Sequence, residues 1–410
     1  MAERDERRGY GERVVITGIG LATPLGADRE TTWQRLLAGE SGIDWLTGAD
    51  ALPFERAGLS RPWGGLTPLA ESQQLPGRDR TIALARAVAA EALRDAGLDT
   101  AATHVGCVFG ASKGGLGATA DWCRPDAASN ARLPPFTDLW PSAPASELAA
   151  AWDLRGPLLT PVAACATGLA ACLRAVQLLR EGACAAVVAG SVDAALTPAV
   201  LASFRRLGVL APPGDAPAQA CRPFDRDRQG FAIGEGAACL IFEPLSRARA
   251  RGARCYAEWE CGLLRSDPAG LMQLSPDGVP LQRLIADLLR GNLPDALHLH
   301  GTGTILNDAV ESQSLAAVLG SRLTQIPAVS VKGALGHLLG AAGSVELALA
   351  ALSLRDQILP PLCNLQHSAL DCPLPCLPRI ATPHAMHRVL KLSLGFGGHL
   401  AGAVLKKSGE

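Results

Sequence analysis

The sequence has no long apolar run: prolines, glycines and charges interrupt every candidate, so no segment is expected to span a bilayer. It carries no excess of either charge. The formal net charge of -1 excludes any global pull towards nucleic acid or an anionic membrane. It has no CxxC pair, and although there are twelve cysteines, the chain is too long for a small disulfide-stapled scaffold. Cys372 and Cys376 sit in a proline-rich stretch without a nearby histidine pair, so no metal site is expected there. The opening MAERDERRGYGER lacks an apolar core and is expected to be a solvated tail, not a targeting segment. The expectation is a soluble, cytoplasmic protein whose cysteines are mostly small buried hydrophobes.

What the sequence does have is length and apolar content. At 410 residues and 48% hydrophobic, it can bury a large core and form two domains or one double-sized unit. Short apolar β-branched runs alternate with alanine- and leucine-rich segments. Strands are predicted at Val14 to Thr17, Val105 to Phe109, Ala185 to Ala189, Ala237 to Phe242, Ala296 to His300 and Ala328 to Val331. Helices are predicted at Thr81 to Ala96, Leu169 to Arg180 and Leu338 to Arg355. The alternation implies an α/β architecture with mainly parallel sheets. PVAACATGLAACLRAVQLL and VSVKGALGHLLGAAGSVELALAAL each run from a strand through a small-residue turn into an alanine-rich helix. Two copies of one βα unit would look like this, and a boundary near residue 250 would separate 1–250 from 251–410. The stretches 44–80 and 118–145 are expected to be loop or cap insertions, the second placing Trp122 and Trp140 at a subunit interface.

Cys165, in Ala-Ala-Cys-Ala-Thr-Gly, falls where small residues allow a sharp turn from strand into helix. A thiol there sees the positive end of a helix dipole, which favours thiolate. His300, in Leu-His-Gly-Thr-Gly-Thr, is placed to project from a strand end. Lys332 and His337 flank a second turn before a helix. Phe396 lies in Leu-Gly-Phe-Gly-Gly-His, a turn whose amides could face an oxyanion. Each signal alone is weak, because single cysteines and histidines are more often structural.

Taken together, the chain resembles the β-ketoacyl synthases, condensing enzymes of the thiolase superfamily. The resemblance runs from VVITGIGLATPLG and TWQRLLAGESGI through AACATG, CRPFDRDRQGFAIGEGA and HGTGTILND to KGALGHLLGAAGS and LGFGG. It implies a five-layered αβαβα fold of two related halves, in a homodimer or a heterodimer. It further implies that Cys165 takes an acyl group from a carrier-protein thioester. His300 and His337 would support malonyl decarboxylation, with Lys332 orienting them. The amides of Cys165 and Phe396 would form an oxyanion hole. Phe204 and Phe396 would gate access, Glu311 and Glu346 would be structural acids, and Thr302 and Thr304 become substrate-pocket candidates. No metal or organic cofactor is implied, since phosphopantetheine arrives on the acyl carrier protein. Neither nucleic acid nor membrane is an expected partner.

Three departures bear on substrate. Lys113 stands where an apolar residue is usual near the far end of the acyl pocket. It either points into solvent at a dimer boundary or marks a short pocket or one that takes a polar end group. Leu394 and His399 replace a phenylalanine and a threonine in the closing turn, and Trp140-Pro141-Ser142 alters a stretch that often lines the acyl cavity. These lean towards specialised, polyketide-type metabolism over fatty-acid synthesis. Two rival readings are a thiolase-type acyltransferase, disfavoured by the lack of a cysteine in the last turn, and a silent chain-length partner, disfavoured by Cys165, His300, Lys332 and His337. A third, a carrier-free binding protein, has no support in the sequence.

Overall fold

The computed structural model describes residues 12–124 and 133–409. The expected tail falls largely outside the described residues, as does the middle of the 118–145 insertion. Ten strands form the main sheet: β1 (Val14–Ala22), β2 (Val105–Ala111), β3 (Leu158–Leu159), β4 (Ala186–Asp193), β5 (Gly236–Pro244), β6 (Ala257–Ser266), β7 (Ala296–His298), β8 (Ala328–Val329), β9 (Arg388–Gly395) and β10 (His399–Lys406). Their spatial order is β8-β7-β9-β10-β6-β1-β5-β4-β2-β3. Read inward from either edge, each group of five runs third, second, fourth, fifth, first. The two groups meet where β1 pairs antiparallel with β6, Val14 opposite Trp259. The short helix Leu245–Ala250 separates them in sequence.

Both faces of most strands are covered, as their apolar composition demands. On β4, Val187 and Ala189 enter a central core while Ala186 and Val188 enter an outer one. On β9, Val389 faces the centre and Leu390, Leu392 and Leu394 face the opposite outer core. The central layer consists of α2 (Thr167–Arg180) and α4 (Ala342–Asp356); α1 (Arg80–Ala96) covers the outer face of the first half, and α3 (Val279–Leu289) with the following helix Ile305–Leu319 that of the second. Five layers result. The central helices touch through glycine: a Cβ on Gly168 would meet Ser344 N at 2.4 Å, and one on Gly343 would meet Leu169 N at 2.5 Å.

The sheet is mixed, which corrects the expectation of mainly parallel strands. β1 pairs antiparallel with β5 and β6, β5 with β4, and β10 with β6 and β9. The reason is local for the last pair. Gly397 and Gly398 take φ of +84° and +77°, so the closing glycine-rich stretch turns the chain back into a hairpin. Three predicted elements are shorter than expected: β7 stops at His298, β8 stops at Val329, and α4 starts at Ala342 after a 3₁₀ turn at Leu339–Ala341.

Candidate active site

Cys165 sits in a 3₁₀ turn, Ala164–Ala166, that opens directly into α2. Ala164 has φ +47°, an uncommon state for a residue with a Cβ, which the surroundings must hold in place. They do so with bonds from Ala166 N to Ala163 O (2.9 Å) and from Ala163 N to Thr167 Oγ1 (2.8 Å). Gly395 of β9 lies against this turn, so close that a Cβ would stand 3.2 Å from Cys165 N. The amide of the next residue, Phe396, lies near enough to the Cys165 sulfur to favour its thiolate. Burial nonetheless pushes that thiol up to about 11, against the downward pull of the Lys113 and Lys332 charges and the Phe396 amide. Burial thus opposes the thiolate-favouring pull expected of the helix terminus, and the resting group is a thiol.

His300 follows the end of β7. Its amide donates to Glu311 Oε1 at 2.7 Å and the Gly301 amide to Oε2 at 2.8 Å, which fixes the bend. Burial raises Glu311 itself to about 7. His337 is clamped from the other side: its amide donates to Ala232 O (2.7 Å), and its carbonyl accepts from Gly234 N (3.0 Å). The two imidazoles lie 5.3 Å apart, nearly perpendicular. Burial first, then the Lys332 charge, holds both well below the usual histidine range, so both are neutral. Leu339 N donates to His337 Nδ1 at 3.2 Å, and Lys332 Nζ stands 3.4 Å from His300 Nδ1. Both Nδ1 atoms therefore act as acceptors, which leaves the proton of each ring on Nε2.

Lys332 is buried and donates to the His300 carbonyl and to Glu346 Oε1, the latter at 2.5 Å. Glu346 Oε2 is 2.6 Å from the ammonium of Lys391 on β9, a residue the sequence reading did not single out. Its only sequence signal is one lysine inside the apolar run Val389 to Leu394.

Cys165, His300 and His337 open onto one cavity of about 150 Å³, together with Phe204, Phe231, Thr302, Thr304, Asn307 and Phe396. Phe204 stacks on Phe396 (6.5 Å between centroids) and meets the edge of Phe231 (5.8 Å). Phe231 in turn packs on His337. Met272, Gln273 and Leu274 also line the cavity, from a loop with no sequence signature. Two pocket candidates do not line it. His399 is exposed at the start of β10, and its ring lies by Gly397. Lys113 is half-buried; it donates to Ser112 Oγ at 2.7 Å and pairs with Asp193 at 3.3 Å. It neither projects freely into solvent nor forms a wall of this cavity. Trp122, Phe136 and Trp140 form an exposed run of edge-to-face rings.

Such a site can bond an acyl group to sulfur, donate from two neutral imidazoles to a developing enolate, and hold an oxyanion with backbone amides. Comparisons with known proteins agree in family. A model described as "Beta-ketoacyl synthase, N-terminal domain" matches residues 11–248, and "Beta-ketoacyl synthase, C-terminal domain" matches 273–366. The chain is 35% identical to the tetracenomycin polyketide synthase ketoacyl synthase alpha subunit of Streptomyces glaucescens, over 97% of this chain and 98% of that protein. It is 31% identical to 3-oxoacyl-[acyl-carrier-protein] synthase 2 of Coxiella burnetii, over 96% and 98%. The solved ishigamide ketosynthase/chain length factor superposes with a TM-score of 0.86 at 29% identity, covering 98% of this chain and all of that one. The chain belongs to the β-ketoacyl synthase family.

Proposed function

We propose that this protein condenses an acyl group held on Cys165 with a malonyl group delivered on an acyl carrier protein. The observation that carries the reading is the convergence of Cys165, His300 and His337, from three separate segments, on one cavity.

In the first half-reaction Cys165 sulfur attacks the acyl thioester carbonyl. The amides of Cys165 and Phe396 receive the oxyanion, and the carrier's pantetheine sulfur leaves, taking the thiol proton. In the second, the bond from the malonyl methylene to its carboxylate breaks, and carbon dioxide departs. The electron pair becomes an enolate that accepts hydrogen bonds from Nε2–H of His300 and His337. Neutral rings suit this step, because they stabilise the oxygen without quenching the carbanion. The methylene carbon then attacks the Cys165 thioester, and the released thiolate takes up one proton. Lys332 orients His300, while Glu311 and Glu346 hold the backbone and the lysine. Phe204 and Phe396 gate the entrance, and Thr302 and Thr304 face the incoming pantetheine. The protein needs no cofactor of its own, because the phosphopantetheine belongs to the carrier.

The relatives point to both fatty-acid and polyketide pathways. We favour the polyketide type, on the name of the relative that is 35% identical over 97% of this chain. Chain division near residue 250 and a cytoplasmic setting belong to the same reading, the latter fitting twelve unpaired cysteines. The edge strand β3, with Leu158, Leu159 and Val162 exposed, suits pairing with a second subunit, either a copy or a related chain. The test is intact-protein mass spectrometry against a panel of acyl-carrier proteins differing in length and polarity. A mass gain localised to Cys165, followed by condensation with malonyl-carrier protein, is expected. No gain from folded protein, alone or with a partner chain, refutes the reading.

A further inference from the structure

Only five lysines occur in this chain, and two of them, Lys332 and Lys391, are buried on the central face of the second half. A fully buried ammonium is costly unless it is paired. Both lysines use the same carboxylate: Glu346 Oε1 lies 2.5 Å from Lys332 Nζ, and Oε2 lies 2.6 Å from Lys391 Nζ. Lys391 reaches Oε2 as an ion pair and donates to the carbonyl of Leu392. A single lysine would have sufficed to neutralise Glu346, so the second needs another explanation.

Geometry supplies one. With Lys332 alone, Oε2 would stand in a dry interior with no counter-charge beside it, and Glu346 would be free to rotate away. With a lysine on each oxygen, the carboxylate has one orientation, and Lys332 is held at His300 Nδ1 and the His300 carbonyl. Lys391 lies beside His298 in the parallel pairing of β9 with β7, so it is anchored to the strand that leads into His300. The charged and titratable groups around His300 are Lys332, His337 and Lys391, with Glu311 on its backbone amide, Glu346 behind Lys332 and Cys165 on the shared cavity. Lys391 adds a second positive charge among them, which opposes protonation of both imidazoles.

We propose that Lys391 is a positioning residue for the decarboxylation step, acting through Glu346 and Lys332 to fix His300 in its neutral, Nε2-protonated form. This rests on the reaction proposed above. Purified wild-type protein, Lys391→Met, Lys391→Gln and Lys391→Arg are compared in two assays. One is acylation of Cys165, followed by intact mass; the other is release of carbon dioxide from malonyl-carrier protein across pH 5 to 9. In the Met and Gln variants, decarboxylation is expected to fall by more than about tenfold while acylation stays within about threefold. Their acid limb should move to higher pH, since losing a nearby positive charge lets the imidazole protonate sooner. Arg, which keeps the charge, should restore the limb. Two neutral variants are used so that misfolding of one leaves the comparison intact. Unchanged decarboxylation, or equal loss of both half-reactions with no shift of the acid limb, overturns the inference. If the wild-type protein neither acylates nor decarboxylates, it is the parent reaction that fails.

Discussion

Replacing Gly395 with alanine adds one methyl group at the point where β9 meets the nucleophile turn. That Cβ would stand 2.7 Å from Ala163 O, 3.1 Å from Ala166 N and 3.2 Å from Cys165 N. Carbon contacts are comfortable from about 3.5 Å, so the backbones must separate by up to roughly 0.8 Å. No flexible side chain is available to yield: all three atoms are main chain, and Ala163 and Ala166 are hydrogen-bonded to each other. The displaced group is the neighbouring Phe396 amide, one of the two proposed oxyanion donors. Losing such a donor outright costs about 10²–10³ in rate, and a partial displacement should cost about 30- to 300-fold. Overpacking should also lower stability by about 1–3 kcal/mol. The assay is single-turnover acylation of Cys165 by a cognate acyl-carrier protein, with malonyl decarboxylation measured alongside. Acylation should collapse while decarboxylation, which depends on His300 and His337, stays within about threefold. A folded Gly395→Ala protein that acylates at the wild-type rate, or loses both activities equally, refutes the assignment of the Phe396 amide.

His300→Ala and His337→Ala should each abolish decarboxylation yet leave Cys165 able to accept an acyl group; an acylation loss as large as the decarboxylation loss would break the division of labour. With the Cys165 thiol raised to about 11, its alkylation by iodoacetamide should rise about tenfold per pH unit from 7 to 10. A plateau near pH 8, read by mass spectrometry, would mean that the helix terminus outweighs burial after all. Lys113→Ile removes a charge that lowers that thiol, so alkylation at pH 8 should slow; an unchanged rate would place the lysine too far away to matter. Leu159→Asp on the exposed edge strand should shift sedimentation from the proposed dimer to monomer, and an unaltered sedimentation profile would refute that subunit contact.

Much of this molecule was legible from local patterns. The first strand, the helix Arg80–Ala96 and the strand–turn–helix passages around Cys165 and His337 each have their own signature of apolar period and small-residue turn. What stayed hidden depends on distant pairing. β6, Ala257–Ser266, is buried at its start and exposed at its end, so it shows no steady alternation. β9 and β10 flank a glycine-rich turn that draws attention from the strands on either side. Lys391 is one polar residue in an apolar strand, and nothing local reveals that Glu346 and Lys332 lie behind it. Burial had the same effect on chemistry: the dipole at Cys165 is visible in the sequence, whereas the desolvation that opposes it is not.

The repeat explains why one turn is reactive and its counterpart is not. Ala164 and Leu339 each open a 3₁₀ turn with φ +47°, and each turn runs straight into a central helix. The residue after the strained position is Cys165 in the first half and Gly340 in the second. Gly340 cannot be enlarged, because a Cβ there would meet Ser112 Cβ at 2.6 Å and Asp193 Oδ2 at 3.0 Å. Its amide instead donates to Asp193 at 3.0 Å, and the preceding Leu339 amide donates to His337 Nδ1. The same strained turn therefore presents a side chain in one half and, in the other, two backbone donors, one of which seats the His337 imidazole. Two halves with identical strand order can divide a reaction in this way, because the geometry is shared and only the residue at its apex differs.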